Sequence, residues 1–124
     1  MLRIVDSFNA REIDEALRGV ADDFELDCLN SIGPLKGVYR GRDGAGEVWT
    51  SLLDAWTTVH WDPIEVIDVE DSRVIVVNRL QMRGRGMYAD EVEAQLWTVG
   101  GGKAVRLRLY QSSSEALEAA GLRK

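Results

Sequence analysis

The sequence predicts an α+β fold in which a curved, mostly antiparallel sheet wraps over helices grouped at the front of the chain. Three observations carry this. Apolar residues recur with a helical period as far as Trp56 and with a period of two from Thr57 to Tyr110. The helical segments precede the main run of strands instead of alternating with them, which argues against a doubly wound parallel sheet. Glycines at 84 and 86 and at 100–102 punctuate the later strands as turns.

The elements follow in order. Leu2, Ile4, Val5 and Phe8 form a short amphipathic piece, and Asn9 with Glu12 reads as a capping-box-like start. Ile13, Ala16, Leu17 and Val20 then recur at i, i+3, i+4 and i+7, one helical face closing near Gly19. FELDCL (24–29) alternates, with Phe24, Leu26 and Cys28 on one side and Asp27 on the other, which predicts a strand. A short extended GVYR leads into a helix from about Asp43 to Trp56, its face formed by Trp49, Leu52, Leu53 and Trp56. Four β-rich segments follow: 59–70, 72–83, 89–99 and 103–111. Ser112 and Glu115 make a second capping box, opening a helix that stops at Gly121 with Leu122 placed for a Schellman contact.

Composition narrows the function. The 124 residues are expected to form one domain (1–124), and a hydrophobic content of 45% is enough for a core. A net charge of −6, with arginines scattered and not striped, argues against nucleic acid and anionic membrane as partners. No apolar run approaches the ~20 residues of a membrane span. One cysteine and one histidine exclude an intrachain disulfide and multi-histidine zinc motifs, so no metal and no cofactor are expected, and the chain is expected in the cytoplasm.

The stretch VYRGRDGAGEVW (38–49) raises the question of a phosphate loop. It lacks the Gly-Lys-Ser/Thr ending of a P-loop, and its spacing GxxGxG is not the dinucleotide fingerprint. Asp43 and Glu47 would also oppose an anion at the helix start. These glycines are read as the turn from strand into helix.

Five pieces, NAREIDEALRGVADDFEL, VYRGRDG, the GRG of 84–86, LWTVGGGK and EALEAAGL, occur in an order that resembles the SnoaL-like branch of the NTF2-like superfamily. The resemblance implies a cone-shaped fold with a pocket for a small hydrophobic organic molecule, and dimerisation through the convex face of the sheet. It also implies ketosteroid isomerase-like or polyketide cyclase-like chemistry: cofactor-free proton transfer by a cyclase, isomerase or dehydratase. The alternative within the fold is a non-catalytic ligand-binding or dimerisation module. The functional positions of ketosteroid isomerases map here onto Cys28, Ile4 and Ala94, so a steroid isomerase of the usual dyad type is not expected. The epoxide hydrolase pattern, two Asp residues linked by an Arg, would draw on Asp27, Asp68, Asp90 and Arg79.

The candidate catalytic residues are accordingly Asp27, a general base if buried, and His60, a proton carrier if it faces inward. Each has a plain alternative, as a solvent-facing strand carboxylate and a strand-edge histidine. The candidate ligand-binding residues are Cys28, Tyr39, Trp49, Asn78, Leu109 and Gln111. Trp49 matches a pocket-wall aromatic of the family, and Leu107, Leu109 and Gln111 match its lining positions on the last strand. Asn78 interrupts an apolar run and, if buried, needs a partner such as a ligand carbonyl. Arg106, Arg108 and Tyr110 are expected on the outer face, opposite a row of Glu91, Glu93 and Gln95. Trp97, on that row, is expected at the dimer interface.

Overall fold

The computed structural model describes residues 2–29, 36–84 and 86–121. Its element order is α1 (Leu2–Asn9), α2 (Ile13–Arg18), β1 (Val20–Asp27), β2 (Val38–Arg40), α3 (Gly41–Ala55), β3 (Thr58–Glu70), β4 (Arg73–Gly84), β5 (Met87–Gly100), β6 (Lys103–Tyr110) and α4 (Ser113–Ala119). The six strands form one sheet in the order β2-β1-β6-β5-β4-β3, in which only β1 and β6 run parallel. Helices α1 to α3 cover the inner face and α4 lies on the outer one. The sheet is curved and unclosed, the α+β cone that the period change predicts. Among the described residues no helix is long and apolar enough to cross a membrane.

Two clamps set the helices on the sheet. The side chain of Asn9 donates to the backbone oxygen of Trp61 and accepts from its N–H, both at 2.8 Å. Asn9 is therefore the last residue of α1 and a bridge to β3, and Glu12 takes the N-cap of α2 without a side-chain cap bond. The capping-box expectation for Asn9 fails because its amide satisfies a strand instead. Arg11, with a φ of 62°, sends its guanidinium to the carbonyls of Leu53 at 2.8 Å and Thr57 at 3.3 Å, at the negative end of α3.

The first strand begins earlier than the alternation suggests. Val20, assigned by periodicity to a helix face, opens β1, because α2 ends at Arg18. At the front of α3, Gly41 adopts a φ of +74°, and a Cβ on Gly46 would come within 3.1 Å of Leu17. The glycines of 38–49 thus serve a tight entry and close helix packing. The second capping box forms: Ser112 Oγ accepts from the N–H of Glu115, whose carboxylate accepts from the N–H of Gln111. Leu122 lies outside the described residues.

The β5–β6 hairpin departs from expectation in a way that decides the site. Gly100 pairs with Lys103 and Val99 with Ala104, but a bulge follows, and Thr98 pairs with Arg106. That extra residue shifts every later pair by one. Gln95 faces Leu109 and Trp97 faces Leu107, while Arg106, Arg108 and Tyr110 lie on the other face with Thr98, Leu96 and Ala94. The expected Arg–Glu rows therefore do not exist. Arg106 and Arg108 pair instead with Glu25 (3.1 Å) and Asp27 (3.9 Å) on β1. Trp97 is fully buried in the inner core, not at an interface, and Tyr110 is buried beneath α4 beside Ala116 and Ala120.

Replacing Asn9 by Ala removes both bonds to Trp61 and leaves its backbone groups partly buried and unpaired. The expected loss is about 2 kcal/mol of unfolding free energy in a urea titration, with an unchanged m-value. A loss below about 0.5 kcal/mol would show that the clamp is incidental.

Candidate functional site

The inner face leaves a pocket of about 480 Å³ between α3 and the strands. Its walls are built by simple periodicities. Val48, Trp49 and Leu52 of α3, with Trp56 just after it, point down onto the sheet; from the strands, every second residue points up, giving Leu26 and, just past β1, Cys28, then Trp61, Leu80 and Met82, and Leu107 and Leu109. The aromatic corner is fixed by stacking. Phe8 lies on Trp61 with ring centroids 4.2 Å apart and meets Trp49 edge-on at 6.3 Å, while Phe24 supports Trp49 at 6.2 Å. The result is a preformed, largely apolar hollow, the usual form of a small-molecule site.

Into this hollow projects one buried carboxyl group. Glu93 is 3% exposed, and loss of hydration pushes its pKa up from 4.5 to about 7, partly offset by a hydrogen bond from Gln95. The Gln95 amide, 3.5 Å away, accepts in turn from the Trp97 indole at 3.0 Å. Across the ladder from Glu93 stands Asn78, fully buried, whose amide nitrogen and oxygen have no hydrogen-bond partner. Cys28 also lines the pocket. Burial, then the charges of Glu93 and Asp27, push its thiol up to about 12, so it is a neutral packing group at neutral pH and not a nucleophile. Glu91, exposed, sits at the rim.

The residues singled out from sequence divide in two. Cys28, Trp49 and Leu109 line the pocket; Asn78 shares the inner face of the sheet with Glu93 but, fully buried, is not among the lining groups. Tyr39 is half-buried against the core, with its hydroxyl donating to the Lys36 carbonyl, and is not among the lining groups. Asp27 is on the outer face, beside Arg108 and accepting from the Leu29 N–H, because strand alternation turns it away from Leu26 and Cys28. His60 is exposed, since its neighbour Trp61 takes the inward position. Gln111 lies beyond the end of β6, exposed at the start of α4. Asp90 and Arg79 pair with one another outside the pocket at 2.6 Å, and Asp68 is exposed, so no Asp–Arg–Asp set spans the hollow. Among the described residues no group of three His, Cys, Asp or Glu side chains could hold a metal ion.

Glu93 is the residue that sequence reasoning misplaced. The row Glu91, Glu93, Gln95, Trp97, expected on the outer face, lies on the inner one. The indole of Trp97 at the end of that row was the clue to its true direction, since a large apolar ring seeks the core.

The raised pKa has a measurable sign. Between pH 4.5 and about 7 folded Glu93 keeps a proton that the unfolded chain releases, so its contribution to stability is full below pH 4.5 and is lost as pH rises through about 7. The loss is on the order of 3 kcal/mol. Relative to Glu93→Gln, the wild-type protein should therefore lose that much unfolding free energy from about pH 4.5 to about pH 8 in chemical denaturation. A difference independent of pH would mean that Glu93 titrates normally.

Comparison with known proteins agrees with this geometry. The family model for the SnoaL-like domain matches residues 1–110. A search of curated proteins finds no match. Among solved structures, TerC co-crystallised with polyporic acid superposes with a TM-score of 0.77 at 22% identity, covering 97% of this chain and 94% of that one. A protein from Xanthomonas campestris pv. campestris, provisionally assigned as a polyketide cyclase, gives 0.75 at 18% identity, covering 96% and 92%. A protein with a ketosteroid isomerase-like fold from Catenulispora acidiphila, in complex with trimethylamine, gives 0.77 at 15%, covering 98% and 91%. At these identities the structures speak for the fold, and the match of the family model over most of the sequence makes this chain a member of the SnoaL-like domain family.

Proposed function

We propose that this protein binds a small hydrophobic carbonyl compound and moves a proton on it without a cofactor, as a cyclase, isomerase or dehydratase would. One observation carries the reading: a single buried carboxyl group, with a pKa near neutrality, at the polar end of an otherwise apolar pocket. Near pH 7 both forms of Glu93 are populated, which is the condition for efficient general acid–base catalysis. The carboxylate removes a proton from the carbon beside the carbonyl, the electron pair moves onto the carbonyl oxygen, and the resulting acid returns the proton to carbon. Asn78, buried and unpartnered across the ladder, is the proposed partner for the ligand's oxygen. Cys28, Trp49 and Leu109 supply shape, while Asp27, His60, Tyr39 and Gln111 have no part in this reading.

A non-catalytic binding role has one observation in its favour. Of the ionisable groups lining the pocket, Glu93 is the only buried one that changes charge near neutral pH, so no second proton carrier accompanies it. The homodimer expected from sequence stays part of the proposal in reduced form. The outer face beyond α4 exposes Val92 and Tyr88 beside the Arg79–Asp90 pair, and sedimentation velocity tests it. The reading takes the protein as cytoplasmic, with Cys28 unpaired.

The test is deuterium incorporation next to the carbonyl of a panel of cyclic and aromatic ketones in D2O, followed by mass spectrometry. Wild-type protein is expected to accelerate exchange of at least one member, and Glu93→Gln to reduce that rate by at least about 100-fold. Asp27→Asn and His60→Gln are expected to stay within about two-fold of wild type. Ketones that bind without exchange would establish the non-catalytic role; exchange that survives in Glu93→Gln would contradict the assignment of the proton carrier.

A further inference from the structure

Three successive inward positions of β5 carry Glu93, Gln95 and Trp97, all buried. A tryptophan indole can only donate, and the Trp97 N–H gives its hydrogen bond to the side-chain oxygen of Gln95 at 3.0 Å. That contact removes the usual ambiguity of a glutamine amide. With its oxygen toward Trp97, Gln95 must turn its NH₂ toward Glu93, where it donates to Oε1 at 3.5 Å. The ladder neighbours of Gln95 and Trp97 are Val74, Val76, Leu107 and Leu109, none of which offers a competing side-chain bond.

We propose that Gln95, held in one orientation by Trp97, is a positioning residue that decides which oxygen of Glu93 exchanges protons with a molecule in the pocket. Oε1, engaged as an acceptor, is the carbonyl oxygen of the protonated acid, so the hydroxyl proton resides on Oε2. The proton leaves from Oε2 and returns to it, and the carboxylate that remains keeps one hydrogen-bond donor. The groups that face Glu93 from the surrounding elements are Cys28 just after β1, Asn78 on β4 and Glu91 on β5; α3 contributes uncharged side chains only. Beside these groups, Gln95 is the one that donates a hydrogen bond to Glu93 and so stabilises its charged form. The inference rests on Glu93 being the proton-handling group, but its test needs no substrate.

The test is a ¹³C NMR titration of the Glu93 carboxyl in the ligand-free protein, the signal being assigned with Glu93→Gln. Gln95→Leu deletes the donor and is expected to raise the midpoint by about one unit. Trp97→Phe keeps an aromatic side chain but removes the indole N–H, freeing the amide to rotate, and is expected to raise the midpoint by less. In the Gln95→Leu background, Trp97→Phe should move it no further, as members of one relay are not additive. Should Gln95→Leu fail to fold, Gln95→Met and Trp97→Phe carry the same comparison. A raised midpoint that ignores both substitutions in folded protein overturns the positioning role alone. A wild-type Glu93 that titrates near its ordinary value overturns the proton-transfer reading with it.

Discussion

The molecule turns on the burial of one carboxyl group. Glu93 stands on the inner face of β5, where a sheet of this kind normally places Val, Leu or Ile, and its hydration is lost on folding. Everything around it either makes that position tolerable or gives it a use. Gln95 supplies a donor, Trp97 fixes that donor, and the pKa rises far enough for the group to be largely neutral below pH 7. Asn78 adds a second polar group that the protein itself does not satisfy. A chain selected only for stability would fill these two opposed positions with apolar side chains, because an unpaired buried polar group costs about 1–3 kcal/mol.

The rest of the architecture holds the walls of the hollow in place. Asn9 ties α1 to Trp61 by two backbone hydrogen bonds, Arg11 ties the α1–α2 turn to the end of α3, and Phe8 is stacked against the indole that α1 thereby positions. The outer face is closed differently, by α4 packed over Ile75, Val77, Leu96 and Tyr110, and by ion pairs between β1 and β6. Shape is thus set by apolar packing, and chemistry by a short polar row that enters the packing from one strand. In a fold whose members share geometry and differ in activity, that row is the part that individualises the site.

The fold was legible in the sequence because it is encoded by periodicity, which survives small errors of boundary. The change from a helical period to a period of two at Thr57 located α3 and β3 to within a few residues. Cys28 shares a face with Phe24 and Leu26, while Trp49 and Leu109 were pointed to by the pocket positions that the family resemblance implies. The polar end of the site was not legible for a specific reason. The side to which β5 and β6 turn depends on one bulged residue in β6 between Ala104 and Arg106. Alternation within a single strand says which residues share a face, but not which face is inner. With the hairpin paired regularly, Glu93 would stand opposite Tyr110, in one row with Arg106 and Arg108; with the bulge, it faces the pocket. Asp27 entered through its place beside Cys28, a functional position in the resemblance, and His60 through its residue type; their own neighbours, Cys28 and Trp61, occupy the inward positions.

On this reading Glu93 is a neutral acid in the folded protein at mildly acidic pH, when surface carboxylates are ionised. Difference infrared spectroscopy of wild-type and Glu93→Gln protein tests this most directly. At about pH 6 the account predicts a carbonyl stretch of one protonated carboxyl group in the wild type, lost above about pH 8 and absent from the variant. No such band at pH 6, with Glu93 ionised like an exposed carboxylate, would contradict it.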